Sequence, residues 1–454
     1  MLLLHFMANK STEFGDQPLK YLLRKQAIPA SIGILVMSIY GIVDTIFVGK
    51  WVSTLAIGAV TVVLPIQFLI SSIGMAIGVG GSSVISRSLG EGNTKKANKT
   101  FANQITLVVG LSSLFLIFGL IFSEEILRIF GAKGGILKPA LAYFNIILIG
   151  LPFLSWAMMT NNVIRAEGHP KIAMKAMMVP AFFNLVLDPI FILVFDWGIE
   201  GVAWATTISF IASAGYTSYF FLSGKSQLNI KGFNLFSIDR KIVSEISGIG
   251  SITLARQGAI SILSIVLNNS LVIFGGEIAL SAFGIIVRVM MFANFPVFGI
   301  TQGFLPIAGY NYGAKKFSRV KDLVTMAVKY ATYIAIAIFI LILSFAQEIV
   351  ELFTNDVELI KLTVPALRMV FIATPLIAIN LIVSGYYQAI GKPFPAMMLA
   401  LSKQVFTLIP LLLILSYFFG LDGIWYSFGI ADFLTAVISF MFFRSALKNL
   451  KTKS

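Results

Sequence analysis

Arg165-Ala-Glu-Gly-His-Pro170 recurs as Gln388-Ala-Ile-Gly-Lys-Pro393, and this repetition is the strongest indication of the architecture. The second stretch lies 223 residues after the first. The same offset relates further pairs: Lys138 and Lys361, Pro152 and Pro375. Chance rarely aligns Ala, Gly, two Pro and a Lys in one register. The 454-residue chain is therefore predicted to contain two copies of one unit.

The composition indicates that both copies lie in a membrane. Hydrophobic residues make up 57% of the chain and charged residues 12%, and apolar runs of about 20 residues, long enough to cross ~30 Å of hydrocarbon, follow one another with short polar breaks. We predict an all-α polytopic protein with twelve transmembrane helices. They form two six-helix bundles, residues 1–223 and 249–454, joined by a cytoplasmic loop at 224–248. Six spans per copy give both copies the same orientation, so a pseudo-two-fold axis runs along the membrane normal.

The net charge of +14 reflects the membrane topology of the chain and does not indicate nucleic-acid binding, because Lys and Arg lie in short loops beside apolar segments. With the N-terminus inside, most cations fall in inside loops. The outside loops hold five cations: Lys50, Arg128, Lys133, Lys138 and Lys361. This bias places both termini in the cytoplasm. With no cysteine and two histidines, no thiolate or histidine metal centre is expected. No nucleotide-binding motif and no cofactor site is expected either, so transport would use an ion gradient or the substrate's own gradient.

Three carboxylates fall within the predicted spans: Asp44, Asp188 and Asp432. A carboxylate in hydrocarbon costs at least ~2.5 kcal/mol and usually faces a bundle interior or cavity. Asp44 and Asp188 share the outer half of the first bundle, and Asn184 lies one helical turn before Asp188. Both acids are absent from the second copy, where Asn269 and Ile409-Pro410 stand in their places. The alternative is structural: Asp44 lies near a helix end, and Asp188 caps a kink at Pro189.

The second bundle carries a different set of intramembrane charges: Arg256, Arg288, Arg368, Lys403 and Asp432. Arg288 and Asp432 are predicted to lie eight or nine residues from the outer face and to form a mainly structural ion pair. Arg256 and Lys403 lie about nine residues from the inner face without an evident acid partner. They either extend toward the inner surface or line a cavity that favours anionic groups.

The chain resembles the multidrug and toxic compound extrusion (MATE) transporters over essentially its whole length. Four stretches carry the resemblance: Val43-Asp-Thr-Ile-Phe-Val-Gly49, Arg165-Ala-Glu-Gly-His-Pro170, Asn184-Leu-Val-Leu-Asp-Pro189 and Gly299-Ile-Thr-Gln-Gly-Phe-Leu-Pro-Ile-Ala-Gly-Tyr-Asn-Tyr-Gly-Ala-Lys315. The resemblance implies two six-helix bundles and export driven by H⁺ or Na⁺. It further implies a multi-pass protein in the plasma membrane of a prokaryote, acting as a monomer among membrane lipids on small organic cations.

The resemblance also implies a cation-coupling site in the first bundle. By motif it matches four side chains: Asp44, Asn184, Asp188 and Thr206. Their oxygens would either hold a hard cation such as Na⁺ or let two carboxylates share a proton.

Two other functions remain open on the sequence. A flippase for a lipid-linked oligosaccharide or other anionic lipid precursor would have the same repeat, and would use Arg256, Arg288 and Lys403 to hold a pyrophosphate. An intramembrane aspartyl protease also uses two aspartates. Neither Asp44 nor Asp188 shows that class's Gly-x-Gly-Asp pattern, so no enzyme activity is expected.

Overall fold

A computed structural model describes residues 11–52, 54–132, 134–229 and 238–452. The side chains of residues 42, 44–46, 48–50, 54, 55 and 57 also lie outside what it describes. Within the described residues all regular secondary structure is helical. The fold class predicted from the repeat and the apolar runs is thus confirmed as all-α.

The first repeat contributes six long helices. They are α1 (Leu19–Trp51), α2 (Thr54–Gly90), α3 (Thr94–Ile121), α4 (Leu137–Ala166), α5 (Pro170–Pro189, continued by a π-helical turn at Ile190–Val194) and α6 (Gly198–Leu222). A short helix, Glu13–Asp16, precedes α1, and another, Ser123–Ile129, precedes α4 together with a 3₁₀ turn at Gly134–Ile136.

The second repeat has the same order of elements. The long helix Arg240–Gly313 is broken at Gly276 into α7 (240–275) and α8 (277–313). There follow α9 (Phe317–Ser344), the short helix Ala346–Glu351, and α10, which consists of Val357–Phe371 and Thr374–Ala389 bent by 47°. Helix α11 comprises Pro393–Leu401, a π-helical stretch at Ser402–Leu408 and residues 409–419, and α12 (421–451) follows the break at Gly420 within Ile409–Lys451.

The number of spans follows from these bounds. In the described residues, eight helical stretches are long and apolar enough to cross a membrane, or nine when the bent pair of α10 is taken as one. Two of these stretches, Arg240–Gly313 and Pro393–Lys451, each contain two spans. Helix α6 has 25 residues and is ~37 Å long, which also suffices to cross. The total is the predicted twelve, in a multi-pass membrane protein.

Glycine makes both breaks possible. Gly276 has φ 67° and Gly420 has φ 57°, a left-handed conformation that costs other residues energy because of their Cβ atoms. Each break lies at the junction between two successive spans of the second repeat. The chain therefore reverses there without a long loop.

Helix α7 begins at Arg240, inside the predicted loop 224–248 and before the predicted start at residue 249. Asp239 explains the earlier start, because its Oδ1 accepts hydrogen bonds from the backbone amides of Lys241 (2.9 Å) and Ile242 (3.3 Å). These bonds satisfy two amides of the first turn, as a helix cap does.

The chain packs as two compact units. The first contains the residues up to Asp16 and Ile32–Leu254, and the second contains Gln17–Ser31 and Ala255–Ser454. In the first unit, an apolar core that includes Val63, Phe144 and Ile147 joins α2 to α4. In the second, a core that includes Trp425 and Phe371 joins α12 to α10.

Close helix crossings explain why the start of α1 groups with the second unit. A Cβ atom at Gly303 of α8 would lie 2.7 Å from the backbone nitrogen of Ala27, so only glycine allows this approach. In the first unit, a Cβ atom at Gly80 of α2 would likewise collide with the Ile246 carbonyl of α7. Each repeat thus begins with a helix whose first part packs outside its own repeat.

Candidate functional site

Helices α5 and α6 bring two of the four predicted coupling residues into contact. The Asn184 Nδ2 donates a hydrogen bond to Thr206 Oγ1 at 3.1 Å. Asp188 lies one turn after Asn184 on α5. All three side chains are buried, with exposures of 1% for Asn184, 1% for Asp188 and 3% for Thr206. This part of the predicted set is one buried polar cluster at the α5–α6 contact.

The connection between α5 and α6 creates this cluster. Pro189 ends the regular part of α5, and the π-helical turn Ile190–Val194 follows it. Asp196 (φ 54°) and Gly198 (φ 53°) then turn the chain into α6 with left-handed backbone angles. The tight reversal sets α6 antiparallel beside α5, so Thr206 returns to the level of Asn184.

The Asn184 amide carries an unused acceptor. Within the described residues, no donor reaches its buried Oδ1 atom. A buried acceptor without a partner costs about 1–3 kcal/mol, so such an atom needs a ligand, a water or a functional reason. Oxygen atoms from an amide, a hydroxyl and a carboxylate are the ligands that hard cations prefer. The chemistry of Asn184, Asp188 and Thr206 therefore fits Na⁺.

Asp44 lies in α1, and its side chain is outside the described part of the structure. Its place beside Asp188 stays a prediction. No group of three His, Cys, Asp or Glu side chains able to hold a metal ion occurs among the described residues.

The predicted pair of Arg288 and Asp432 is wrong. Asp432 accepts from Lys403, with Nζ and Oδ1 2.6 Å apart, whereas Arg288 is exposed and forms no ion pair among the described residues. Depth explains the difference. Lys403 lies ten residues from the start of α11, and Asp432 lies eleven residues from the start of α12. Because the two helices start at opposite faces and rise ~1.5 Å per residue, each side chain lies ~15 Å from its face, in the middle of a ~30 Å layer. The depths predicted from the sequence place Asp432 in the outer half and Lys403 in the inner half of the membrane, so they do not predict this pair.

Other polar groups extend along the same helices around this pair. The hydroxyls of Thr407 and Thr435 are 3.2 Å apart and join α11 to α12. The Asn380 Nδ2 of α10 donates to Ser402 Oγ (3.3 Å) and Ser439 Oγ (3.0 Å). We call Lys403, Asp432, Thr407 and Thr435 the C-terminal polar cluster.

Arg256 is half-buried in α7 and makes no hydrogen bond or ion pair within the described residues. Its role as an extended or a cavity-lining cation stays a prediction.

A second buried acid, Glu167, lies outside the spans, between α4 and α5. Its carboxylate accepts from Ser226 Oγ (2.9 Å), Gln227 N (2.6 Å) and Leu228 N (3.1 Å). Burial raises the pKa of Glu167 from 4.5 to about 7, although these donors act in the opposite direction. Sequence reasoning missed this residue. The available signal was that Glu167 of the first copy is Ile390 in the second.

Glu167 and two other acids attach the inter-repeat loop to the first unit. At the far end of the loop, Asp239 Oδ2 pairs with Lys99 Nζ at 2.7 Å, and Glu245 pairs with Lys96 at 2.9 Å. The hydrogen bond from Lys99 lowers the pKa of Asp239. Both described ends of the loop are thus bound to the N-terminal unit's polar surface.

Comparison with known proteins agrees with the sequence motifs and the fold. The MatE family model matches residues 29–190 and 253–414, two stretches of equal length that reproduce the internal repeat. The chain is 28% identical over 428 residues to the multidrug export protein MepA of Staphylococcus aureus, covering 94% of each chain. It is 26% identical over 417 residues to MepA of Staphylococcus saprophyticus, covering 91% of each.

Solved structures share the whole fold. A crystal structure of MATE in complex with MaD3S has a TM-score of 0.92 at 25% identity, with 98% of this chain and 99% of that chain covered. An outward-facing multidrug resistance MATE family transporter of the MOP superfamily gives 0.92 at 26%, with the same coverage. The family model covers more than half of the chain in two copies, and the fold agrees from end to end. The chain belongs to the MATE family of transporters.

Proposed function

We propose that this chain is a cation-coupled antiporter, driven by H⁺ or Na⁺, that exports amphipathic organic cations by alternating access. The single observation that carries the proposal is the buried α5–α6 cluster, where Asn184 contacts Thr206 one turn from Asp188. Buried oxygen ligands beside a carboxylate suit a small cation or a proton. The MepA relatives are named as multidrug export proteins, which supports drug efflux as the activity.

Coupling follows from competition at this cluster. A deprotonated carboxylate attracts an organic cation, and entry of H⁺ or Na⁺ neutralises the same charge and lowers the affinity for the cargo. Attraction and repulsion are both stronger in a low-dielectric interior than in water. Two ligands that exclude each other in this way are linked reciprocally, as antiport requires. In this proposal Asp44 and Asp188 carry the charge, while Asn184 and Thr206 supply neutral ligands.

The flippase alternative loses support from the second unit. It relied on three cations to hold a pyrophosphate, but Lys403 is already neutralised by Asp432 at 2.6 Å, and Arg288 is exposed. Of these three cations, Arg256 alone is both unpaired among the described residues and partly buried. One partly buried cation is a poor site for a doubly charged group.

The remaining parts of the proposal are topological. We propose a monomer in the plasma membrane of a prokaryote with both termini in the cytoplasm, as the excess of Lys and Arg in the inside loops favours.

Transport in proteoliposomes tests the proposal. Uptake of a fluorescent quaternary amine should respond to an imposed pH gradient or to an imposed sodium gradient, each applied alone. Accumulation that is indifferent to both gradients would overturn antiport. Asp196→Asn provides a matched control for changes at Asp188, because Asp196 is exposed and asparagine tolerates its left-handed backbone.

A further inference from the structure

The C-terminal polar cluster contains a cation that the protein itself supplies. Asp432 on α12 is buried, with 3% of its side chain exposed, and the Lys403 ammonium lies 2.6 Å from its Oδ1. Lys403 keeps 19% of its side chain exposed. The carboxylate of Asp432 is therefore enclosed by protein, whereas part of the Lys403 side chain is not.

Packing alone does not account for a charge pair at this depth. Removing two charges from water often costs as much as their attraction returns, and apolar residues of the same volume commonly stabilise a protein as well or better. Ionisable groups in the middle of a membrane usually mark a pathway for ions or substrates. A role in ion or substrate binding therefore explains the Lys403–Asp432 pair better than packing does, because two apolar side chains would pack at least as well.

The backbone of α11 is irregular at this point. Lys403 lies in the π-helical stretch Ser402–Leu408, and Thr407 Oγ1 donates to the carbonyls of Ser402 (3.0 Å) and Lys403 (2.9 Å). Short π-helical insertions are rare and occur often at functional sites. The counterpart helix of the first repeat, α5, has its own π-helical turn at Ile190–Val194, next to Asp188.

The two repeats thus place similar groups on the same pair of helices. In the first, an amide and a hydroxyl, Asn184 and Thr206, join α5 to α6. In the second, two hydroxyls, Thr407 and Thr435, join α11 to α12. A carboxylate belongs to each cluster, and in the second cluster the Lys403 ammonium is paired with it. An ammonium on a flexible four-carbon chain has the chemistry of a small organic cation.

We propose that Asp432 is a second cation-binding site, that the Lys403 ammonium is its resident ligand, and that a small alkylammonium ion replaces Lys403 at Asp432. The ligand class rests on the proposed function, which takes organic cations as cargo, but the site does not involve the coupling residues of the first unit. Exchange is favoured by the partial exposure of Lys403, because its flexible side chain is not fully enclosed by protein and an incoming ammonium can take over the same hydrogen bond.

Chemical labelling of the unmodified sequence tests the exchange directly. Purified full-length protein is treated at pH 8 with an uncharged amine-acetylating reagent, with increasing N,N-dimethylbutylammonium, and acetylation of Lys403 is followed by mass spectrometry. The tertiary amine keeps one N–H donor and forms no amide with the reagent. We expect saturable acceleration of Lys403 acetylation by about tenfold, since a lysine released from its carboxylate no longer has to break a charged hydrogen bond before it reacts. Lys329 on α9 is the internal control, with no acceleration expected.

Two variants complete the test. In Asp432→Asn, Lys403 should react at the fast rate without any amine. In Asp188→Asn the amine dependence should match the wild type, so loss of coupling at the first unit does not affect this result. Lys403 acetylation that stays slow at every amine concentration, while Asp432→Asn reacts fast, would overturn the proposal and leave a permanent structural pair.

Binding provides an independent measurement. Lys403→Met removes the resident ammonium, so N,N-dimethylbutylammonium should bind about tenfold more tightly at pH 8 than to wild type. The gain should disappear in the double variant Lys403→Met/Asp432→Asn. An equal gain in the double variant would also overturn the proposal, because the affinity would then not come from Asp432.

Discussion

The α5–α6 contact of the first unit and the α11–α12 contact of the second use one helix pair of the repeat in two ways. Neutral groups meet in the first, where Asn184 donates to Thr206 beside Asp188. In the second, Lys403 neutralises Asp432 with an ammonium of the same chain. The second unit therefore supplies the counter-charge of a buried carboxylate from its own chain, whereas the first unit places an amide and a hydroxyl within one helical turn of its carboxylate.

The largest expected effect comes from removing the acid of the first unit. Asp188→Asn keeps the size of the side chain but has no charge for H⁺ or Na⁺ to neutralise, so gradient-driven efflux should fall to the level of liposomes without protein. Asp44→Asn should behave in the same way. Efflux is measured in proteoliposomes against Asp196→Asn, and folding is checked by gel filtration in detergent. Full activity in either variant removes that residue from coupling.

The second unit should respond through stability. Asp432→Asn leaves Lys403 without its partner in a partly buried position, and breaking such a pair costs up to about 3–5 kcal/mol. The double variant Lys403→Met/Asp432→Leu leaves no unpaired charge and should recover most of the loss. Thermal unfolding in detergent measures both. A single variant as stable as the wild type would show that the pair contributes little, and would weaken the contrast between the units.

The repeats also differ outside the membrane, where Glu167 corresponds to Ile390. Because the pKa of buried Glu167 is raised to about 7, the folded state holds this proton between pH 4.5 and 7 while the unfolded state releases it. Stability from this group is therefore present at low pH and lost as pH rises through that window, by about 3 kcal/mol in total.

Glu167→Gln carries no titrating group, so its unfolding temperature should fall less than that of the wild type between pH 5 and pH 8. Glu91→Gln, at an exposed turn, is the matched control and should follow the wild type. Parallel pH profiles for wild type and Glu167→Gln would contradict the raised pKa.

The smallest expected effect concerns the neutral ligands. Asn184→Ala and Thr206→Ala each remove one oxygen from the α5–α6 cluster, so the ion concentration for half-maximal transport should rise by about three- to tenfold, equivalent to ~1 kcal/mol. Thr217→Ala is the control on the same helix, since among the described residues Thr217 Oγ1 donates to the carbonyl of Ala214 in its own helix. An unchanged ion dependence in both cluster variants would show that the four-residue site is wrong.

Much of the fold was predictable because its signals are repeated and periodic. The offset of 223 residues, the apolar runs and the distribution of Lys and Arg specify twelve spans in two copies. Helix starts were less predictable, since α7 begins at Arg240 through the hydrogen bonds of Asp239, which no apolar run reveals. The sharp reversals at Gly276 and Gly420 depend on positive backbone φ angles, and a glycine within an apolar run does not by itself predict such an angle.

The candidate site was predictable only in part. Asp188 and Asn184 could be found from one helix turn and the cost of a buried acid, but Thr206 came from the resemblance to a family. Contacts between helices were harder: Lys403 and Asp432 are 29 residues apart and meet only because α11 and α12 run antiparallel through one layer. The π-helical turn that carries Lys403 shifts side-chain directions in a way that regular helix geometry does not predict.

Binding of a fluorescent quaternary amine, measured against pH and sodium in wild type, Asp188→Asn and Arg256→Ala, tests most directly whether ion and cargo share the acid of the first unit. In the wild type the affinity should fall as H⁺ or Na⁺ rises, Asp188→Asn should bind weakly and lose this dependence, and Arg256→Ala should match the wild type. Affinity that ignores both ions and Asp188 but is lost in Arg256→Ala would contradict cation export.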